Sequence, residues 1–272
     1  MLRQRIVTAL VLVVLLLAAL VWLPRNAWII MVMALALAAA WEWAKLSGYG
    51  TSATLAYLAA ILLLLCMGAG IIPANFFFSA QSFFLQSTVF WIFIVPLWLV
   101  RGYKTRHPGI LALAGWMVIV PAALAMIVLQ RPYELLALMA AVWVSDVAAY
   151  FTGRAFGKHK LAPQISPGKT WEGVAGALVA TLIYAEGMQR MGFSFSQTGA
   201  PGYSLKITAL FMLLACLGMV GDLFESWMKR TAGVKDSGSI LPGHGGVLDR
   251  IDALTSTLPI AALALGFMGK LN

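Results

Sequence analysis

Apolar stretches with few or no charges, each about 20 residues long and so able to cross the hydrocarbon of a bilayer, recur along nearly the whole of this chain. They fall at 6–23, 27–45, 53–72, 83–100, 109–129, 133–153, 172–189, 207–228 and 251–269. In lipid, each such stretch must satisfy its own backbone N–H and C=O groups, and an α-helix does this within one segment. The pattern therefore predicts an all-α, polytopic integral membrane protein with nine transmembrane helices in a single membrane domain over residues 1–272. A chain that is 61% hydrophobic and 11% charged is not a soluble globular domain.

The signs of the connecting segments orient the helices. With the N-terminus in the cytoplasm, 14 of the 19 Lys and Arg residues lie on the cytoplasmic side, and only Arg25, Arg131, Arg190, Lys206 and Lys270 lie opposite. This obeys the positive-inside rule and predicts a multi-pass protein of the cell's inner (plasma) membrane. The net charge of +9 then reports topology first and attraction to anionic headgroups second; the bilayer is the expected partner, and nucleic acid is not. Arg3 and Arg5 precede an apolar run longer than the 7–15 or so residues of a signal-peptide core, so a retained helix is expected. Trp22, Trp28, Trp41, Trp43, Trp98, Trp171 and Trp227 fall near span ends, where aromatic rings anchor to the interface. Cys66 and Cys216 have no CxxC spacing and suggest neither a disulfide nor a metal. Residues 1–130 read as scaffold helices, and 131–272 carry the informative polar segments at 154–171 and 229–250.

Chemistry concentrates in GDLFESWMKRTAGVKDSGSILPGHGGVLDRID, Gly221 to Asp252, which holds five of the ten carboxylates and four of the nineteen cations. Asp222 and Glu225 are i, i+3 near the end of one apolar helix; Asp249 and Asp252 repeat that spacing at the start of the next. Two helix ends thus aim carboxylates at one place. Between them stand Lys229, Arg230 and Lys235, with Ser237, Gly238, Gly243, His244, Gly245 and Gly246 in a loop whose bare backbone can approach phosphate. Carboxylates suit a hard cation, and cations with backbone donors suit phosphate, so a nucleotide handled with Mg²⁺ is expected. Upstream, Ser166-Pro167-Gly168-Lys169-Thr170 at a helix start can present N–H groups, hydroxyls and an ammonium to phosphate, although Thr170 and Glu172 serve equally as helix caps. Asp146, deep in an apolar run, needs a cation, a metal or a packing hydrogen bond. His107 and His159 are far from His244 in sequence, which argues against zinc.

The pattern Ser226-x-Met228-Lys229-Arg230, four residues, Lys235-Asp236-x-Gly238-x-x-Leu241-Pro242-x-His244-Gly245-Gly246-Val247-x-Asp249-Arg250-Ile251-Asp252 resembles the signature of the phosphatidate cytidylyltransferase (CDP-diacylglycerol synthase) family. Ser145-Asp146, Tyr150, Gly153, Gly157 and Ile165 to Gly173 are similar to the family's second polar block.

The resemblance implies transfer of the cytidylyl group of CTP to phosphatidic acid, with the site facing the cytoplasm. It implies Asp222, Asp249, Lys229, Arg230, Lys235, Asp236 and Arg250 as catalytic residues. Ser166, Lys169, Thr170, His244, Gly245 and Gly246 would bind substrate, and Asp222, Asp249 and Asp146 would hold Mg²⁺, with room for a second cation; a homodimer is admitted. Two other readings stay open: a CTP-dependent kinase of an isoprenoid alcohol, and a transporter of anionic solutes.

Overall fold

The computed structural model describes residues 2–193, 203–241, 243 and 245–268. Within them run nine helices: α1 Leu2–Trp22, α2 Arg25–Leu46, α3 Thr51–Gly68, α4 Ala80–Val100, α5 Pro108–Val128, α6 Pro132–Phe156, α7 Trp171–Arg190, α8 Tyr203–Thr231 and α9 Leu248–Phe267. Each apolar stretch of the sequence corresponds to one of them, although the stretch at 53–72 leaves its helix after Gly68. The chain is an all-α polytopic membrane protein. Seven of the helices, α2 to α6, α8 and α9, are long and apolar enough to span a bilayer. In α1 the apolar part is the shorter Val11–Trp22, and α7, with Glu172, Glu186 and Arg190 in its 20 residues, is not among the seven.

Local sequence sets several helix starts. Pro108 and Pro132 open α5 and α6, where a missing N–H costs nothing. Ser79 caps α4, its side chain accepting from the N–H of Ser82. α5 is the most buried helix, and α9 packs against α2, α4, α5, α6 and α8. The helix that begins at the glycine-rich loop is therefore central to the bundle.

A single π turn, Phe90–Ile94, interrupts α4. There Phe90 and Trp91 meet Phe224 of α8 edge-on at 5.7 Å each, joined by Trp98 at 5.6 Å and by Trp43, stacked at 6.4 Å. Phe224 precedes Glu225, so this aromatic ring fixes α8 beside the polar tract. Several tryptophans expected as interface anchors are instead buried: Trp28, Trp43 and Trp227 give their Nε1–H to the carbonyls of Met126, Leu111 and Tyr103. An indole whose N–H finds a carbonyl inside the bundle loses the polar handle that would draw it to the headgroups. Trp22, Trp41 and Trp171 do face outward.

The segment 154–171 is not the plain loop that the sequence suggests. It contains an antiparallel hairpin, β1 Lys160–Ala162 and β2 Ser166–Thr170, pairing Lys160 with Thr170 and Ala162 with Ser166. The hairpin is anchored where α6 and α7 cross closely. A Cβ on Gly173 would lie 2.8 Å from the Ala149 carbonyl, and one on Gly176 would overlap Thr152; small residues permit this approach.

Candidate active site

Helical spacing places Asp222, Glu225, Ser226 and Lys229 on one face of α8, toward the start of α9. Lys229 Nζ lies 2.5 Å from Glu225 Oε2, its i, i+4 neighbour, and 2.6 Å from Asp249 Oδ1 on α9. The three side chains are 11%, 6% and 5% exposed, so the ammonium bridges two helices away from water. The other oxygen of Asp249 is also engaged. Oδ2 accepts from the N–H of Ser237 at 2.9 Å, lies 2.9 Å from Ser237 Oγ, and accepts from the N–H of Gly246 at 2.8 Å. Gly245 has φ +80°, and a Cβ there would stand 2.6 Å from Asp249 Oδ2. Both facts require glycine.

A second ion pair forms where the hairpin meets α8. Lys169 Nζ sits 2.7 Å from Asp222 Oδ2 and donates to the Met219 carbonyl at 3.3 Å, while Ser226 Oγ donates to Asp222 Oδ1 at 3.3 Å. Asp146 is within electrostatic reach of Asp222 and Lys169, and Asp252 of Asp222, Asp146 and Lys229. Three helices and one strand thus bring the carboxylates of α6, α8 and α9 to one charged centre, with Lys169 and Lys229 among them.

The remaining expected residues divide. Arg250 lies at the polar end of the larger cavity described below. Arg230 is exposed and donates to the Val234 carbonyl at 3.2 Å, closing the end of α8. Lys235 and Asp236 are exposed on the loop. Thr170 is buried as the N-cap of α7, its Oγ1 accepting from Gly173 N–H at 3.1 Å. Glu172 accepts from the backbone N–H of His159 and meets its Nδ1 at 2.7 Å, stapling the hairpin to α7. Ser166 is half-buried at the start of β2. The N–H of Gly246, expected to face phosphate, is spent on Asp249. His244 and Pro242 lie outside the described residues.

A cavity of about 590 Å³ between α1, α2, α5, α6 and α9 reaches this centre. Its walls are apolar, with Leu16, Met31, Ala123 and Trp143 from α1, α2, α5 and α6; its polar end carries Asp146, Asp249, Arg250 and Asp252. A second cavity of about 490 Å³ is lined by Lys45, Arg106, Thr231, Asp236 and Ser237.

Glu42 was not among the residues expected at the site. This α2 residue is 1% exposed, and its carboxylate accepts from the backbone N–H groups of Val247 and Leu248 at 2.9 Å each. The available signal was an acid in an otherwise apolar run between Trp41 and Trp43, since an intramembrane carboxylate needs a partner; nothing in its neighbourhood named that partner.

Hard oxygen donors are present for a divalent ion. Lysine ammoniums rest on one oxygen of Asp222 and one of Asp249, so both carboxylates sit where cations are favoured. Among the described residues no three His, Cys, Asp or Glu side chains form a closed cage. The donor set fits Mg²⁺, which uses one or two carboxylates and completes its shell with water and substrate phosphates. On Asp249, Oδ2 is held by three protein donors and Oδ1 by the Lys229 ammonium alone.

The sequence pattern of the cytidylyltransferase family matches residues 3–268. The phosphatidate cytidylyltransferase of Pseudomonas aeruginosa is 38% identical across 99% of this chain and 98% of its own length. The enzyme of the same name from Haemophilus influenzae is 33% identical across 95% of this chain and 96% of its own. That of Bacillus subtilis is 47% identical across 43% of this chain, 42% of its own length. A match over nearly the whole chain, together with the charged centre between α6, α8 and α9, places this protein in the cytidylyltransferase family.

Proposed function

We propose that this protein transfers the cytidylyl group of CTP to the phosphate of phosphatidic acid, forming CDP-diacylglycerol and pyrophosphate. The observation that carries this reading is the larger cavity, whose apolar length suits acyl chains and whose polar end holds Arg250 beside Asp146, Asp249 and Asp252. A lipid lying there keeps its tails in hydrocarbon and brings its phosphate to the charged centre.

An oxygen of the lipid phosphate attacks the α-phosphorus of CTP, the bond from that phosphorus to the bridging oxygen breaks, and the electron pair leaves with pyrophosphate. A phosphate monoester has a second pKa near 6 and is largely deprotonated at cellular pH, so the step needs no strong general base. The protein's part is positioning and charge: Lys169 and Arg250 bind phosphate oxygens, and Lys229 keeps Asp249 in place between α8 and α9. Asp222 and Asp249, with Asp146 near, would hold Mg²⁺, which would supply neutralisation of the triphosphate. The 14 to 5 distribution of Lys and Arg supports an inner-membrane protein with a cytoplasmic N-terminus, which puts the centre on the side of the nucleotide.

The test is purified protein in detergent with radiolabelled CTP and phosphatidic acid. Labelled CDP-diacylglycerol and pyrophosphate are expected. A phosphorylated lipid without CMP, or anion flux in proteoliposomes without CTP turnover, overturns the reading.

A further inference from the structure

α9 begins without a cap of its own. Its N-cap residue, Val247, has helical backbone angles and no side-chain hydrogen bond to the first turn, so the leading N–H groups need acceptors from elsewhere. Glu42 supplies them from 205 residues away: Oε1 takes the N–H of Val247 and Oε2 that of Leu248, each at 2.9 Å. Ser237 Oγ lies 3.1 Å from Glu42 Oε2 and 2.9 Å from Asp249 Oδ2, so one hydroxyl stands between the two carboxylates. The loop glycines fit around this group. A Cβ on Gly238 would come 2.5 Å from Glu42 Oε1, and one on Gly246 would overlap both Glu42 and Ser237. A buried carboxylate is costly unless donors surround it, and here the donors come from the segment that presents Asp249. Glu42 lines neither cavity.

We infer that Glu42 is a positioning residue of the reaction: it locks Ser237, Val247 and Leu248 onto α2 and so fixes the setting of Asp249. The inference rests on the proposed function for its kinetic readout, and on a labelling experiment for a readout independent of turnover. In Glu42→Gln one acceptor oxygen remains and an amide N–H confronts a backbone N–H; in Glu42→Ala both acceptors go. The expected order of kcat is wild type, then Gln about 10-fold lower, then Ala about 100-fold lower, with KM for both substrates within about 3-fold of wild type. Activity is expressed per folded protein, measured by thermal melting in detergent. In an Asp249→Asn background Glu42→Gln should cost less than about 3-fold, because the two changes act through one carboxylate. Separately, Val247→Cys in a chain with Cys66 and Cys216 changed to Ala should react slowly with a maleimide when Glu42 is present and at least about 10-fold faster in Glu42→Gln, the loop having been released. Faster labelling with no CDP-diacylglycerol even from the wild type would keep the clamp and sink the proposed reaction. Wild-type kcat and slow labelling in Glu42→Gln, or a loss fully additive with Asp249→Asn, would overturn the role of Glu42.

Discussion

Replacing Lys229 by Met keeps the length and packing of the stem but removes the ammonium that lies 2.5 Å from Glu225 and 2.6 Å from Asp249. The two acids then face each other without their common counter-charge. Both are nearly excluded from water, so screening is weak; two unit charges about 4 Å apart interact by about 4 kcal/mol at an effective dielectric of about 20. Removing one partner of a buried pair costs about 3–5 kcal/mol, and Lys229→Met should lower the melting midpoint by a margin well above the error of a detergent melt. The second arm adds Glu225→Gln, which removes one of the stranded charges. Lys229→Met/Glu225→Gln should regain about half of the lost stability but none of the activity, because Asp249 still lacks its cation. CDP-diacylglycerol formation should be down by at least about 100-fold in both variants, or about 2.7 kcal/mol of transition-state stabilisation. Melting of Lys229→Met within about 1 °C of wild type, or a double variant no more stable than the single one, would refute the buried bridge.

Lys169→Gln should raise the KM of one substrate by about 10-fold or more while insertion and melting stay normal, and wild-type kinetics would leave Lys169 only its place on the hairpin. Asp222→Asn and Asp249→Asn should each lower turnover by about 100-fold or more and weaken Mg²⁺ rescue after chelation with EDTA, with Asp236→Asn milder; an unchanged Mg²⁺ titration would remove both carboxylates from the cation site. Ala123→Phe, which fills the apolar cavity, should raise KM for long-chain phosphatidate and spare that for CTP, and equal effects on both would place the lipid elsewhere. A topology reporter joined after α9 should be active only outside the cytoplasm; cytoplasmic activity would reduce the crossings by one.

The bundle was legible because apolar runs of spanning length leave the backbone little choice, and each run became one helix. The charged centre was legible for a related reason: i, i+3 and i, i+4 spacing puts Asp222, Glu225 and Lys229 on one face of α8, and Asp249 stands in the first turn of α9. Contacts between distant segments were not. Glu42 finds its donors 205 residues later, and no local pattern encodes that pairing. The hairpin was hidden because Ser166-Pro167-Gly168 carries no period-2 alternation; its strands are set by anchoring between α6 and α7 rather than by strand propensity. The glycines of the loop were read as space for phosphate, whereas Gly245 and Gly246 first make room for the carboxylates of Asp249 and Glu42. Trp28 and Trp43 looked like interface anchors because the position of an indole near a span end does not reveal which way it turns.

The reach of Glu42 also bears on how the protein is made. α2 leaves the ribosome some 205 residues ahead of the backbone that will cap it, so during synthesis its carboxylate has no permanent partner. Lying within one turn of Lys45, at the end of the helix, it can be hydrated from the membrane surface while the intervening helices are laid down. Docking of α9 then removes that water and supplies the donors in one step. A nascent chain that has not yet received α9 lacks Asp249 as well as the cap, and is silent as a catalyst however many of its helices are already in the bilayer.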